Sequence, residues 1–146
     1  MTTDTVLVTG AFGLVGSQTV RQLLADGRRV VATDLDVPAN RKAAALLPSD
    51  AVRWADLTDP GAVAELLRTV SPAAIIHLAA IIPPVCYARP ALARRVNVDA
   101  TRYLVDAAAA LPGPASPTLA VTGLSGLAIG ADQVLSGTAP SATGVH

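Results

Sequence analysis

The chain has 146 residues, about half of them apolar and few of them aromatic, which is enough for one domain with one real core. Lys plus Arg and Asp plus Glu number 11 each, so composition offers no electrostatic case for nucleic acid or an anionic membrane surface. The single Cys86 excludes an internal disulfide and agrees with a reducing compartment. Met1 to Asp4 lacks the basic flank of a signal peptide. The longest apolar run, Ala73 to Cys86, is interrupted by His77 and Pro83-Pro84 and is shorter than the ~20 residues of a membrane helix. The expectation is a soluble, cytoplasmic protein with no metal site.

In chain order, Val6-Leu7-Val8-Thr9 reads as a strand running into glycines at 10, 13 and 16. Leu14 to Asp26 follows as a helix, with Val20, Leu23 and Leu24 on one face with Val15 and Gly16, and Gly27 where a C-terminal cap belongs. Arg29 to Asp34 is a second strand. Pro38 to Leu47 is a short Ala-rich helix carrying Arg41 and Lys42 and stopped by Pro48. Val52-Arg53-Trp54 is a brief third strand leading to Ala55-Asp56-Leu57. Asp59-Pro60 starts a helix in which Val63, Leu66, Leu67 and Val70 recur at helical spacing, ended by Ser71-Pro72. Ala74 to Leu78 is a buried fourth strand. Past the irregular Pro83-Pro84 segment, Leu92 to Leu111 is the longest helical pattern, with Val96, Ala100, Leu104, Ala108 and Leu111 on one face. The βαβαβαβα order predicts a doubly wound α/β fold, a parallel sheet with helices on both faces. The pattern changes after Leu111: residues 112–117 are a loop by composition, and Asp132 is the only charge from there to His146. Thr118 to Thr122 is a fifth strand, and Gly123 to Gly144 has no clean period. The domain expected is therefore 1–111, with 112–146 a loop, a fifth strand and an unassigned tail.

Gly-x-x-Gly-x-x-Gly between a strand and a helix suits a dinucleotide pyrophosphate. Gly10 lets the chain turn sharply, Gly13 removes a side chain that would hold phosphates off the backbone, and Gly16 lets the helix approach the sheet. An ordinary βα turn also uses glycines. Context separates the two: a strand precedes, a helix follows, and a second strand ends in Asp34, 18 residues after Gly16.

With the glycine turn, Asp34, Asp56-Leu57, His77-Leu78-Ala79-Ala80 and Asn97-Val98 in register, residues 5–111 resemble the extended short-chain dehydrogenase/reductases, and among them the NAD-dependent epimerase/dehydratase group acting on nucleotide sugars and similar substrates. The resemblance implies a Rossmann fold, here truncated after about strand five. It implies that the backbone at Phe12, Gly13, Leu14 and Val15 meets the pyrophosphate. Asp34 would accept both adenosine-ribose hydroxyls and repel a 2′-phosphate, favouring NAD over NADP, although Arg41 and Lys42 are cations that could receive such a phosphate. Asp56 would bond the adenine amino group with Leu57 on the ring; its alternative role is an Asp before a helix start. Leu78, Ala79 and Ala80 would run beside the cofactor. His77 matches a position mostly structural in the family and lacks a matched acid or nucleophile, so it is not read as a base. Asn97 would support the neighbouring strand, and Ala100 replaces the family's Gly before Thr101.

Full-length members of that family carry a catalytic Tyr and Lys four apart after strand five, with a Ser or Thr upstream. Here Lys42 is the only lysine, and Tyr87 and Tyr103 are followed four residues on by Ala91 and Ala107. Thr122 and Ser125 fall near the family's hydroxyl position without a proton-transfer partner. No catalytic residue is therefore assigned. Tyr87 would lie toward the nicotinamide end, and Tyr103 reads as a packing or dimer-face residue. The 92–111 helix is the surface through which a homodimer would form. Three readings stand open: an NAD-binding domain not catalytic alone; an active epimerase, dehydratase or dehydrogenase completed by a partner chain or a further C-terminal part; and a tail after Leu111 from a shifted frame. Translating the other two frames downstream of the Leu111 codon tests the third, which predicts a Tyr-x-x-x-Lys helix there.

Overall fold

The computed structural model describes residues 5–112, 118–122 and 128–129. Strand β1 (Thr5–Thr9) alternates its side chains between two cores: Leu7 joins one and Val8 the other, both fully buried. A strand buried on both faces needs helices on both. Helix α1 (Leu14–Ala25) covers the Val8 side, where Val20 packs with Val30 and Ala32 of β2 (Arg29–Asp34). Helices α3 (Pro60–Val70) and α6 (Ala100–Ala109) cover the Leu7 side through Val63, Leu66, Leu67, Leu104 and Ala108. Between these lie α2 (Pro38–Ala44), β3 (Val52–Trp54), β4 (Ala74–His77), α4 (Val85–Ala88) and α5 (Pro90–Arg94).

The sheet order is β3-β2-β1-β4-β5-β6, with β5 at Thr118–Thr122 and β6 at Ala128–Ile129. The pairs β1–β2, β2–β3, β1–β4 and β4–β5 are parallel, and β6 runs antiparallel to β5. The chain winds outward from β1 to β3, then returns past β1 to β4. This reversal opens a crevice at the carboxyl ends of β1 and β4. The doubly wound α/β architecture expected from the sequence is the one found, with β6 added from the stretch that has no clean period. The rest of that stretch, Ser125 included, lies outside the described residues.

Local chemistry explains the boundaries. Gly27 (φ 75°) ends α1 in a Schellman arrangement: its N–H donates to Leu24 O at 3.0 Å, and the Arg28 N–H to Leu23 O at 2.9 Å. Asp59 Oδ1 caps α3 by accepting from the Gly61 and Ala62 amides at 2.9 and 3.3 Å, with Pro60 opening the helix. Three expectations need correction. The apolar face of α1 is narrower than read, since Val15 and Leu24 are 63% and 37% exposed. Helix α2 stops at Ala44, because the chain turns at 45–47 and brings Leu47 onto the Val8-side core. The long fourth helix is broken. It starts at Pro90, whose missing N–H costs nothing at a first helical position, and passes through a π turn at Arg95–Asp99 before α6. The wider turn re-phases the stripe: Ala93 and Ala100 are buried, whereas Val96, expected on the core face, lines the crevice.

Ser71 closes α3 at φ 45°, a left-handed conformation that strains any residue with a Cβ. Urea unfolding midpoints should show Asp59→Ala less stable by about 1 kcal/mol and Ser71→Gly more stable by up to about 1 kcal/mol.

Candidate functional site

The turn after β1 is built by two close approaches. Gly10 sits at φ 62°, and a Cβ there would lie 2.7 Å from Ala79 N and 2.8 Å from Leu78 C. A Cβ at Gly16 would collide with the Gly10 carbonyl oxygen, so the first turn of α1 presses on the glycine turn itself. Gly13 differs. A Cβ there would meet nothing nearer than Gly10 O at 3.4 Å, so internal packing does not require glycine, and its open side belongs to the crevice it lines. The Ala11, Phe12 and Gly13 amides are spent inside the protein, on Thr33 O (3.2 Å), Asp34 Oδ2 (3.1 Å) and Gly10 O (3.2 Å). The Leu14, Val15 and Gly16 amides open α1 without a side-chain cap and without a backbone partner among the described residues. They form an electropositive helix end beside the crevice.

The crevice holds about 350 Å³. One end is acidic. Asp34 accepts the Phe12 N–H through Oδ2 and the Leu35 N–H through Oδ1 at 2.8 Å, which orients the carboxylate and leaves it further acceptor capacity. Asp56 Oδ1 accepts the Thr58 N–H and hydroxyl at 2.9 and 2.7 Å. The cap of α3 is Asp59, so Asp56 is not spent on starting that helix. Asn40 Nδ2 donates to Leu35 O at 2.9 Å and holds α2 against this end. Phe12 packs on Trp54 with ring centroids 5.6 Å apart. Arg41 does not line the crevice. It forks onto both carboxylate oxygens of Asp36 at 2.5 and 2.8 Å, which lowers the Asp36 pKa and raises that of Arg41.

The opposite wall is the exit of β4. Leu78, Ala79, Ala80 and Ile81 line it, with the Leu78 and Ala79 amides donating to Thr9 Oγ1 at 3.1 and 3.3 Å. Asn97, in the π turn, accepts the Ile81 N–H at 2.8 Å and donates to Ile81 O at 2.9 Å, so it holds the segment that leaves β4 and not the strand itself. His77 is 3% exposed, with Nδ1 2.6 Å from Thr9 Oγ1 and Nε2 3.0 Å from Thr101 Oγ1; burial pushes its pKa down to about 4. Its contacts are two hydroxyls and no acid. Tyr103 packs on the Leu7-side core, and Tyr87 is exposed on α4. Ala100, standing for the family's Gly, is fully buried in that core.

Of the residues singled out by sequence, Gly10, Phe12, Gly13, Asp34, Asp56, Leu57, Leu78, Ala79 and Ala80 come together around the crevice. Leu14, Val15 and Gly16 do not line it and flank it as the first turn of α1. Sequence reasoning missed Leu35, Asn40, Ala55, Thr58, Ile81 and Val96. Leu35, Ala55 and Thr58 adjoin Asp34 and Asp56 and could have been found by extending those motifs. Val96 depends on the π turn and had no signal. Among the described residues there is no cluster of His, Cys, Asp and Glu fit to hold a metal, and no helix long and apolar enough to cross a membrane.

Sheet order, glycine turn and switch-point crevice define a Rossmann-like α/β protein. The model of the NAD dependent epimerase/dehydratase family matches residues 6–133, and the chain belongs to that family. It is 38% identical over 88 residues to UDP-glucose 4-epimerase 4 of Oryza sativa subsp. japonica, a match covering 55% of this chain and 24% of that protein. The solved UDP-glucose 4-epimerase of Thermus thermophilus, in complex with NAD, is similar at TM-score 0.62 and 32% identity, over 70% of this chain and 33% of that one. L-threonine 3-dehydrogenase of Trypanosoma brucei is similar at TM-score 0.59 and 33% identity, over 70% and 32%. The chain thus spans about a third of the solved relatives and a quarter of the curated one.

A histidine that folding holds neutral makes stability pH-dependent. Below its ordinary value of 6.5 the unfolded chain takes up a proton that the folded protein refuses until about 4. Stability should therefore fall as pH drops through that window, by a total on the order of 3 kcal/mol from this group. Denaturant titrations between pH 8 and 4 should show this slope in the wild type and lose its share in His77→Asn.

Proposed function

We propose that this chain is the cofactor-binding part of an NAD-dependent epimerase/dehydratase-type oxidoreductase, and that it does not turn over substrate alone. The observation that carries this is the pairing of two features at one crevice: unspent amides at the start of α1 and an oriented Asp34 at the end of β2. The diphosphate would lie at Leu14 and Val15, beside the side-chain-free face of Gly13. The Phe12 and Gly13 amides, already bonded within the protein, would line the turn rather than bind. Asp34 would take the adenosine-ribose hydroxyls with its remaining lone pairs, and Asp56 the adenine amino group above Leu57. Leu78, Ala79 and Ala80 would let the dinucleotide run along backbone.

The cofactor we favour is NAD. A 2′-phosphate would meet the Asp34 carboxylate at close range, and the nearest cation in sequence on α2, Arg41, is already held by Asp36. When bound, NAD supplies hydride exchange at its nicotinamide. The chain's own residues bind and orient it, but the sequence holds no Tyr and Lys four apart to move the accompanying proton. Completion by a partner chain or by further sequence is the alternative. A homodimer through residues 92–111 is a separate expectation, since a second copy of this chain brings no Tyr and Lys four apart.

Calorimetric titration should give heat with NAD and at least about tenfold weaker binding of NADP. Asp34→Asn should narrow that preference. No heat at millimolar NAD on folded protein would overturn the binding reading. Turnover followed at 340 nm with sugar nucleotides, abolished in Tyr87→Phe or Tyr103→Phe, would overturn the claim of inactivity.

A further inference from the structure

A buried hydrogen-bond path runs behind the β4 wall of the crevice. A hydroxyl has one proton and two lone pairs. Thr9 Oγ1 receives the Leu78 and Ala79 amides, so its proton goes to His77 Nδ1 at 2.6 Å. That nitrogen is then the acceptor, the ring proton sits on Nε2, and Nε2–H donates to Thr101 Oγ1 at 3.0 Å. Thr101 donates onward to the Asn97 carbonyl at 2.9 Å, and the Asn97 side chain grips Ile81 at both N–H and C=O. The other tautomer would aim three N–H groups at one Thr9 oxygen and leave the hydroxyl proton without an acceptor. The path has little slack, since the Leu78–Ala79 peptide lies where a Cβ of Gly10 would be.

We propose that His77 is a positioning residue for the cofactor crevice: as the Nε2–H tautomer it aims the Thr9 hydroxyl that sets the Leu78–Ala79 peptide against Gly10, and through Thr101 and Asn97 it ties the same wall at Ile81. The proposal rests on the NAD-binding reading of the crevice. It makes His77 the middle of a clamp whose two ends hold the start and the finish of one wall. The half facing Thr9 governs the fit of the wall on the glycine turn, and the half facing Thr101 governs only its attachment to the helix.

The two halves separate by substitution. Asn at 77 keeps an acceptor near the Nδ1 position, whereas Gln keeps a group near Nε2 and leaves the Thr9 hydroxyl without its acceptor. NAD affinity, read from the fluorescence of Trp54, the sole tryptophan and a neighbour of crevice-lining Phe12, should stay within about twofold in His77→Asn and fall about tenfold in His77→Gln. Thr9→Val should match His77→Gln, Thr9→Ser should restore binding, and Thr9→Val with His77→Gln should be no worse than either alone, since both act through one hydroxyl. Long-range proton–nitrogen spectra should place the His77 proton on Nε2. The Ala79 amide, held by the Thr9 hydroxyl, should exchange faster in His77→Gln, the Leu78 amide less so because it also donates to Thr9 O at 3.3 Å.

Unchanged affinity in His77→Gln at an unchanged melting temperature would overturn the proposal, as would a proton on Nδ1. If His77→Gln does not fold, the Thr9→Val and Thr9→Ser pair carries the comparison. Wild-type protein that binds no NAD overturns the proposed function instead. The tautomer and the amide exchange then still test the clamp, supporting it if both are as expected and refuting it if exchange is unchanged.

Discussion

The contact on which the molecule depends is the approach of the β4 exit to the turn after β1. Gly10 adopts a positive φ and presents bare backbone to the Leu78–Ala79 peptide at a distance that no Cβ could survive. The same peptide is held from the side by the Thr9 hydroxyl. Two parallel strands, already paired as far as Thr9 and His77, are thereby joined beyond their carboxyl ends, where the strand order reverses. Everything lining the crevice is referred to this junction. α1 leaves from it, with Gly16 against the Gly10 carbonyl, and the carboxylate of Asp34 is bonded to its Phe12 amide.

Rigidity at that junction comes from burial as much as from hydrogen bonds. β1 contributes Leu7 to one core and Val8 to the other, and both are fully enclosed. Burying such a side chain stabilises the fold by roughly 1.5–3 kcal/mol relative to leaving it exposed, so the strand that carries the glycine turn is anchored from both faces. The exposed ion pairs contribute far less. Arg41–Asp36 and Arg68–Glu65 lie at the surface, where water and salt screen the attraction and the cost of ordering two long side chains offsets much of it. The value of Arg41–Asp36 lies in where it keeps a cation, not in stability.

The π turn at Arg95–Asp99 illustrates how a small irregularity serves the crevice. A regular helix through Val96, Ala100 and Leu104 would have continued one apolar stripe into the core. The wider turn releases Val96 toward the crevice and brings Asn97 to Ile81, while Ala100 and Leu104 stay enclosed. Such turns recur at functional positions because they re-aim a side chain without breaking the helix.

The sequence by itself determined the order of β1 to β5 and of the helices as far as α3, the parallel doubly wound class, the glycine turn and the acids that end β2 and follow β3. These depend on local periodicity and on residue types with few alternatives: glycine at positive φ, proline at a helix start, a β-branched run between polar turns. It also determined that no Tyr and Lys stand four apart. Only the tertiary structure decided which amides of the turn are spent, that Arg41 faces Asp36, that Val96 leaves the core, and that His77 lies between the hydroxyls of Thr9 and Thr101. Most of these depend on a partner some twenty residues away or on a helical phase shift, and neither leaves a periodic trace in the chain; Arg41 and Asp36 are near in sequence, and periodicity does not show which neighbour such a side chain takes.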